Sequence, residues 1–574
     1  MGNHTPKSGV FPIFRAPWRP ALSRIARRLG AQYHEAPFEL MPGAEATPSL
    51  KSEEGKREAT SSAPEVNVFA VYGVEPEVQA YAMAKYSRSA LSMKESLKEI
   101  NEQKAEKFLN TFYFQYGHRS IADLAHIALA IERLSILAAI ALVDETRWDG
   151  QERSTRYQDF KKSGAYLPDF GGDEGSRQLY QETIAFLFAE YERFSEGMWR
   201  YLEERTPRPA EMKPEAYERT LRARAFDFSR YFLPLGAYTS LGEIVNARTL
   251  ENQIAHLLSH THAEVRSLAE LLKKAAREPA YNANHDAWSA LVEEVRALDP
   301  ALGERAAQAL LKEVRAAPTL VKYAEANPYE METRRELRQA AAELMAGAEI
   351  ANVNRVDLLE DDALEIELAT TLLYAHCHYP YKQIRKRVEG LEGARRAEIT
   401  DLGTKHRGKH DELLRPFASG QKFRFDILMD LGGFRDMHRH RRCVQIAQGF
   451  TAAHGYETPE EIAGAGMRER YDAGMKRAAQ AAAQLTAQRR AAGDAESEES
   501  AQYLLPLAYR CRTLFKMDFA EVLYIAELRT TPAGHFSYRN VAWDMYRDVA
   551  RQYPALARYF RVTDVREPVD LLQR

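Results

Sequence analysis

At 574 residues the chain exceeds one ordinary hydrophobic core, and about 150 residues per domain gives two to four domains. Charged residues make up 28% and hydrophobic ones 45%, with a formal net charge of −3; this near-neutral, globular balance excludes a general nucleic-acid binder, which would be strongly basic. Cys377, Cys443 and Cys511 have neither disulfide-framework nor metal-type spacing, which fits a reducing, cytoplasmic compartment, and no continuous apolar run of about 18 residues marks a membrane span.

In chain order, residues 1–65 form an extension set apart by composition. Arg15, Arg19, Arg24, Arg27 and Arg28 precede the first acidic residue, Glu35, and a Ser/Glu/Pro/Ala-rich stretch runs to Pro64. The pattern is that of a disordered basic tail, a transit peptide or a mistaken start codon, and it is excluded from the fold. A first unit spans residues 66–280, with a strand-like run at Val66–Tyr72 and helical periodicity through residues 77–110. Residues 121–143, an apolar segment interrupted by Asp123, His126, Glu132 and Arg133, read as a bent core helix and not as a membrane helix. Helical patterns continue from 174 to 280, and residues 281–345, rich in Ala, Glu, Lys and Arg, form a helical connector. A second unit covers 346–574, within which residues 467–500 read as an exposed helix with a loop. Phe423–Asp430 is an apolar run packed on a core.

The chain repeats itself. Arg230-Tyr-Phe-Leu-Pro-Leu-Gly through Asn246 lies without a gap on Gln502-Tyr-Leu-Leu-Pro-Leu-Ala through Asp518, and both stretches continue as amphipathic helices. The position of each copy late in its unit favours a tandem duplication.

Two stretches concentrate chemistry. Arg435-Asp436-Met437-His438-Arg439-His440-Arg441-Arg442 gathers many fixed donors. Composition alone favours a solvated basic face, but cations held beside a core element repel unless an anion sits among them, and a phosphate-bearing ligand is the natural candidate. In Gln151-Glu152-Arg153-Ser154-Thr155-Arg156-Tyr157, an extended backbone puts Glu152, Ser154 and Arg156 on one face. Acceptor, hydroxyl and forked guanidinium together suit a polar ring with a phosphate attached; the bland alternative is a polar strand end. His256 and His260 have helical metal-ligand spacing without the accompanying Glu, so polar residues beside a ligand site are the better reading.

These residues resemble the flavin-dependent thymidylate synthases. That family carries an Arg-His-Arg triplet, seven residues, then a Ser within Glu-x-Ser-x-Arg-Tyr. Here Glu152-Arg-Ser154-Thr-Arg156-Tyr157 is similar to the tail, while Asp144-Glu145-Thr146 stands where the triplet belongs. In the second unit Arg439-His440-Arg441 is similar to the triplet, and Gly449 stands at the serine position. Each unit holds half a motif. Late in the first unit Arg230, Asn246, Arg248 and Asn252 match the family pattern, with Leu257 at the place of a substrate-orienting arginine; the second unit keeps Arg529.

The resemblance implies an α/β, helix-rich fold of two tandem thymidylate synthase-like units, and a cytoplasmic homodimer acting on small molecules without nucleic acid, membrane or metal. It implies reductive methylation of dUMP, or a related pyrimidine nucleotide, at C5, with FAD as cofactor and methylenetetrahydrofolate and NADPH as co-substrates. Glu152, Ser154, Arg156 and Arg230 would hold the nucleotide and Arg529 would polarise its ring. Arg439, His440, Arg441, Asn246, Arg248 and Asn252 would hold the flavin. The rival from another class is an inactive nucleotide- or partner-binding protein on the same scaffold.

Overall fold

The computed structural model describes residues 73–84, 119–360, 363–408, 411, 414–418, 420–493 and 497–572. The basic extension, the Val66–Tyr72 run and most of the 77–110 periodicity lie outside the described residues; helix α1, Pro76–Ala84, is the described part of that periodicity.

The 121–143 segment is not one helix. A 3₁₀ turn at Arg119–Leu124 is followed by strand β1, His126–Ser135, and helix α2, Ile136–Val143. Ile127 and Ile131 point inward while Ala128 and Ala130 are exposed, a strand alternation disguised by helix-forming residue types. Pairing with a long antiparallel neighbour overrides that propensity. A bulge between Glu132 and Leu134, with Arg133 at φ 60°, resets the alternation before Ser135, whose hydroxyl caps α2 by accepting from Ala138 N.

Strand β2, Trp148–Glu152, precedes helices α3, Glu174–Arg205, and α4, Pro214–Ser229. Strand β3, Tyr238–Asn246, then leads into α5, Ala247–Leu258, and α6, Ala263–Arg277. The sheet order is β1-β3-β2, antiparallel throughout. Between the units stand α7, His285–Leu298, α8, Pro300–Leu310, and α9, Pro328–Leu344; the irregular stretch before α9 buries Ala317, Leu320 and Val321.

The second unit repeats the plan. Strand β4, Val356–Leu358, is followed by α10, Leu364–Tyr374, α11, Tyr381–Glu389, and α12, Gly393–Leu402. Then come β5, Phe423–Asp430, α13, Leu431–Met437, and β6, Val444–Ala447. Helix α14, Arg468–Ala491, precedes β7, Arg510–Met517, α15, Phe519–Arg529, and α16, Phe536–Gln552. The sheet order β4-β5-β7-β6 is the first sheet with one added edge strand. Helix α14 is not simply exposed, because Tyr471, Met475, Ala478 and Leu485 form a buried stripe packed against α3.

The central strands β3 and β7 are the two copies of the repeat. Asn246 caps α5 through Thr249 N, and Asp518 caps α15 through Glu521 N. The copies also pair with each other: Pro234 bridges Pro506, Leu235 N donates to Leu505 O, and Leu507 N donates to Leu233 O, both at 2.9 Å. Equivalent residues meeting reciprocally is the mark of a two-fold contact, here within a single chain. One continuous core contains residues of both units.

Candidate functional site

Where the units meet, their half-motifs face each other. Asp430 closes β5 and caps α13 by accepting from Gly433 N at 2.7 Å, and α13 with the turn after it carries Arg435, Asp436, Arg439, His440 and Arg441. From the first unit, β2 ends at Glu152 and the following turn supplies Thr155 and Arg156. Arg435 donates to the Glu152 carboxylate and lies 3.5 Å from Thr155 Oγ1, so the stretches on either side of a 283-residue separation share an ion pair.

Arg156 is buried. Its Nε donates to Asp227 Oδ1 at 2.6 Å, its Nη1 to the Tyr538 hydroxyl at 3.0 Å and its Nη2 to Ala533 O at 3.2 Å. Burial opposes the charge, but Asp227 outweighs it and holds the guanidinium protonated. Arg230, 2% exposed, lies 3.4 Å from Asp436 Oδ2, with its Nε and Nη2 lacking an acceptor. A side chain at Gly432 would come within 3.3 Å of that guanidinium, so glycine permits the approach. Arg439 Nη2 donates to Asp436 Oδ1 at 3.0 Å. Arg529 donates from Nε to His440 Nε2 at 2.7 Å and from Nη2 to Asp436 O at 2.6 Å, which fixes its plane. Burial lowers the His440 pKa, so the ring is suited to accept from Arg529.

Asp436 is the hub. Burial pushes its carboxyl up, yet Arg230, Arg439, Arg156 and Arg529 together bring it down to about 2. Around it five guanidinium groups, of Arg156, Arg230, Arg435, Arg439 and Arg529, face three carboxylates, of Glu152, Asp227 and Asp436, an excess of two positive charges. The basic run is therefore partly neutralised from within: its repulsion is met first by the chain's own carboxylates, and only the remainder is left for a ligand.

The site continues along β2. Arg441 donates to Trp148 O and Asp149 Oδ1 and stacks on the Trp148 ring at 4.4 Å, so the tryptophan both fills the core and carries a cation. Trp148 pairs with Val245, next to Asn246. The end of β2 at Arg441 and the end at Glu152 are thus four residues apart, about 13 Å, and the start of α5 flanks the far end. There Asn246 is engaged as the cap, Arg248 pairs with Asp123 at 3.3 Å, and Asn252 is half-buried. Ser154 accepts from Arg156 N at 3.2 Å and shapes the turn.

The structure brings Glu152, Arg156, Arg230, Arg439, His440 and Arg529 into one cluster, with Ser154 in its turn and Arg441 beside it; Asn246, Arg248 and Asn252 stand at the other end of the same strand pair. Sequence reasoning assigned no role to Asp227 and Tyr538, and placed Arg435 and Asp436 only within the basic run. The lone acid inside a basic run was the available signal for Asp436. His256 pairs with Glu330 at 2.5 Å, and burial pushes the Cys443 thiol up to about 12, the behaviour of a packed small side chain.

A sequence model of the family described as thymidylate synthase complementing protein matches residues 71–280 and again 360–555. A UPF0159 protein of Chlamydia pneumoniae is 28% identical over 531 residues, covering 87% of this chain and 92% of that one. A UPF0159 protein of Thermoplasma acidophilum is 26% identical over 506 residues, covering 81% and 90%. A flavin-dependent thymidylate synthase of Clostridium tetani is 25% identical over 214 residues, 37% of this chain but 82% of its own length. A protein nearly spent on 214 residues is of single-unit size.

Proposed function

Because the chain belongs to the thymidylate synthase complementing protein family and carries its domain twice, we propose that it is a flavin-dependent methyltransferase acting at C5 of dUMP or a related pyrimidine nucleotide. The observation that carries this reading is the meeting of Arg435 with Glu152 around the Asp436 hub. An excess of two positive charges, and Arg230 atoms still without acceptors, suit the phosphate of a nucleotide. Glu152, Ser154, Arg156 and Arg230 line the nucleotide end. Arg529, held by His440 and Asp436 O, is a preoriented donor for a pyrimidine carbonyl as charge develops there.

The donors spread over about 13 Å of β2 fit an extended dinucleotide better than a compact ligand. Arg439, His440 and Arg441 would hold FAD at one end and reach the substrate side, with Asn246, Arg248 and Asn252 at the other end; Arg441 Nε is buried without an acceptor. Bound flavin supplies hydride, methylenetetrahydrofolate the one-carbon unit and NADPH the electrons. The working form is read as a cytoplasmic homodimer; no helix among the described residues is long and apolar enough to cross a membrane.

Purified protein that is yellow with bound FAD and releases tritium from 5-labelled dUMP meets the expectation; a colourless protein that binds no added flavin ends it. Asp436 standing in the arginine cluster favours one rival, a binding protein without turnover. Flavin and dUMP binding with no tritium release under reducing conditions with the folate present would select that rival.

A further inference from the structure

Arg230 and Arg439 pair with the carboxylate of Asp436, Arg529 holds its backbone oxygen, and the charges of Arg156 and Arg529 also act on the carboxylate. It fits their cradle incompletely. Arg230 Nη1 stands 3.4 Å from Oδ2, beyond the roughly 2.7–2.9 Å of a close charge-assisted bond. Arg230 also retains two buried nitrogens without acceptors. A carboxylate offers two oxygens and one charge, whereas a phosphate monoester offers three terminal oxygens and close to two charges. The second oxygen of Asp436 is held by Arg439, whose side chain is 45% exposed, so this pair faces the solvent side of the cluster.

We propose that Asp436 is a specificity-determining residue whose carboxylate stands in the position of a ligand phosphate. A phosphate-bearing pyrimidine enters the Arg230 and Arg439 cradle only by displacing it, and the residue thereby sets how far the site prefers a nucleotide over the matching nucleoside. The inference rests on the pyrimidine-nucleotide reading of the site. It adds that the preference is held down by a residue of the chain itself.

The test titrates dUMP, deoxyuridine and inorganic phosphate into the full chain by calorimetry, wild type against Asp436→Asn, which keeps the side chain's size and removes its charge. The expected result is dUMP binding about 10- to 100-fold tighter in the variant, with deoxyuridine changed by less than about twofold and inorganic phosphate tightened in parallel. Weaker or unchanged dUMP and phosphate binding overturns the proposal, because Asp436 then orders the arginines and does not compete for them. Phosphate tightening without dUMP or deoxyuridine binding to either protein overturns the specificity role together with the nucleotide reading, and leaves Asp436 only as a competitor for phosphate. Should Asp436→Asn not fold, Asp436→Ser removes the same charge and is held to the same outcomes.

Discussion

Arg156 and Arg441 both belong to the site, yet their surroundings give opposite expectations. Arg156 and Asp227 form a buried pair with side chains 8% and 5% exposed. Arg156→Ala removes the close partner of the buried Asp227 carboxylate and leaves it Arg224 at 3.9 Å, so it is expected to cost about 2–4 kcal/mol of folding stability, read by urea denaturation; a loss below about 1 kcal/mol would show that Arg224 and water compensate and the pair is not structural. Arg441 stacks on Trp148 and pairs with Asp149, which is 91% exposed. Arg441→Ala should therefore fold normally and lose bound flavin, and an aggregated variant would reverse that assignment. The cationic residues were legible in the sequence because Arg435–Arg442 and Glu152–Arg156 are local patterns. Their partners were not, because Asp227 and Tyr538 reach Arg156 across 71 and 382 residues, and no short motif encodes such a contact.

The same limit governs elements. The repeat located β3 and β7 and the helices after them, since a duplicated strand and cap leave a duplicated pattern. It could not locate β1, whose Ala- and Leu-rich residues favour a helix until β3 is available to pair with. Within β3, Glu243 is 2% exposed; its Oε1 accepts from Gln253 Nε2 at 2.9 Å, and its Oε2 has no partner. Burial pushes its carboxyl up to about 7, although the Gln253 bond pulls the other way. Against an unfolded value of about 4.3, the folded chain keeps a proton that the unfolded chain has released, so this group's effect on stability turns unfavourable as pH rises from about 4.3 to 7. The full effect is about 4 kcal/mol at most. Glu243→Gln removes the charge, and its denaturation midpoint should exceed that of wild type at pH 8 but hardly at pH 4.5. An equal gain at both pH values would mean that the carboxyl titrates normally.

At the scale of the whole chain, the reciprocal pairing of Leu233–Leu235 with Leu505–Leu507 implies two equivalent grooves about the internal two-fold. Strand register identifies the residues of the second groove. Glu152 stands opposite Leu241 and Ala447 opposite Thr513, while Leu241 and Thr513 are themselves equivalent in the repeat, which makes Ala447 the counterpart of Glu152. The same shift puts Thr451 at Arg156, Ala141 at Asp436, Asp144 at Arg439 and Glu145 at His440, and the repeat puts Gln502 at Arg230 and Leu257 at Arg529. Every cation that converges on Asp436 is thus replaced by a neutral or acidic residue in the mate, which lacks that arginine cradle. Asp144 there serves a structural role instead, pairing with Arg415 at 2.6 Å. One groove thus holds halves drawn from both units, and the other holds neither. Calorimetric titration of dUMP should accordingly saturate at one equivalent per chain, and Arg230→Ala should abolish the heat of binding while Gln502→Ala leaves it intact. Two equivalents per chain, with one surviving in Arg230→Ala, would show that the second groove binds despite its composition and that its counterparts have been misassigned.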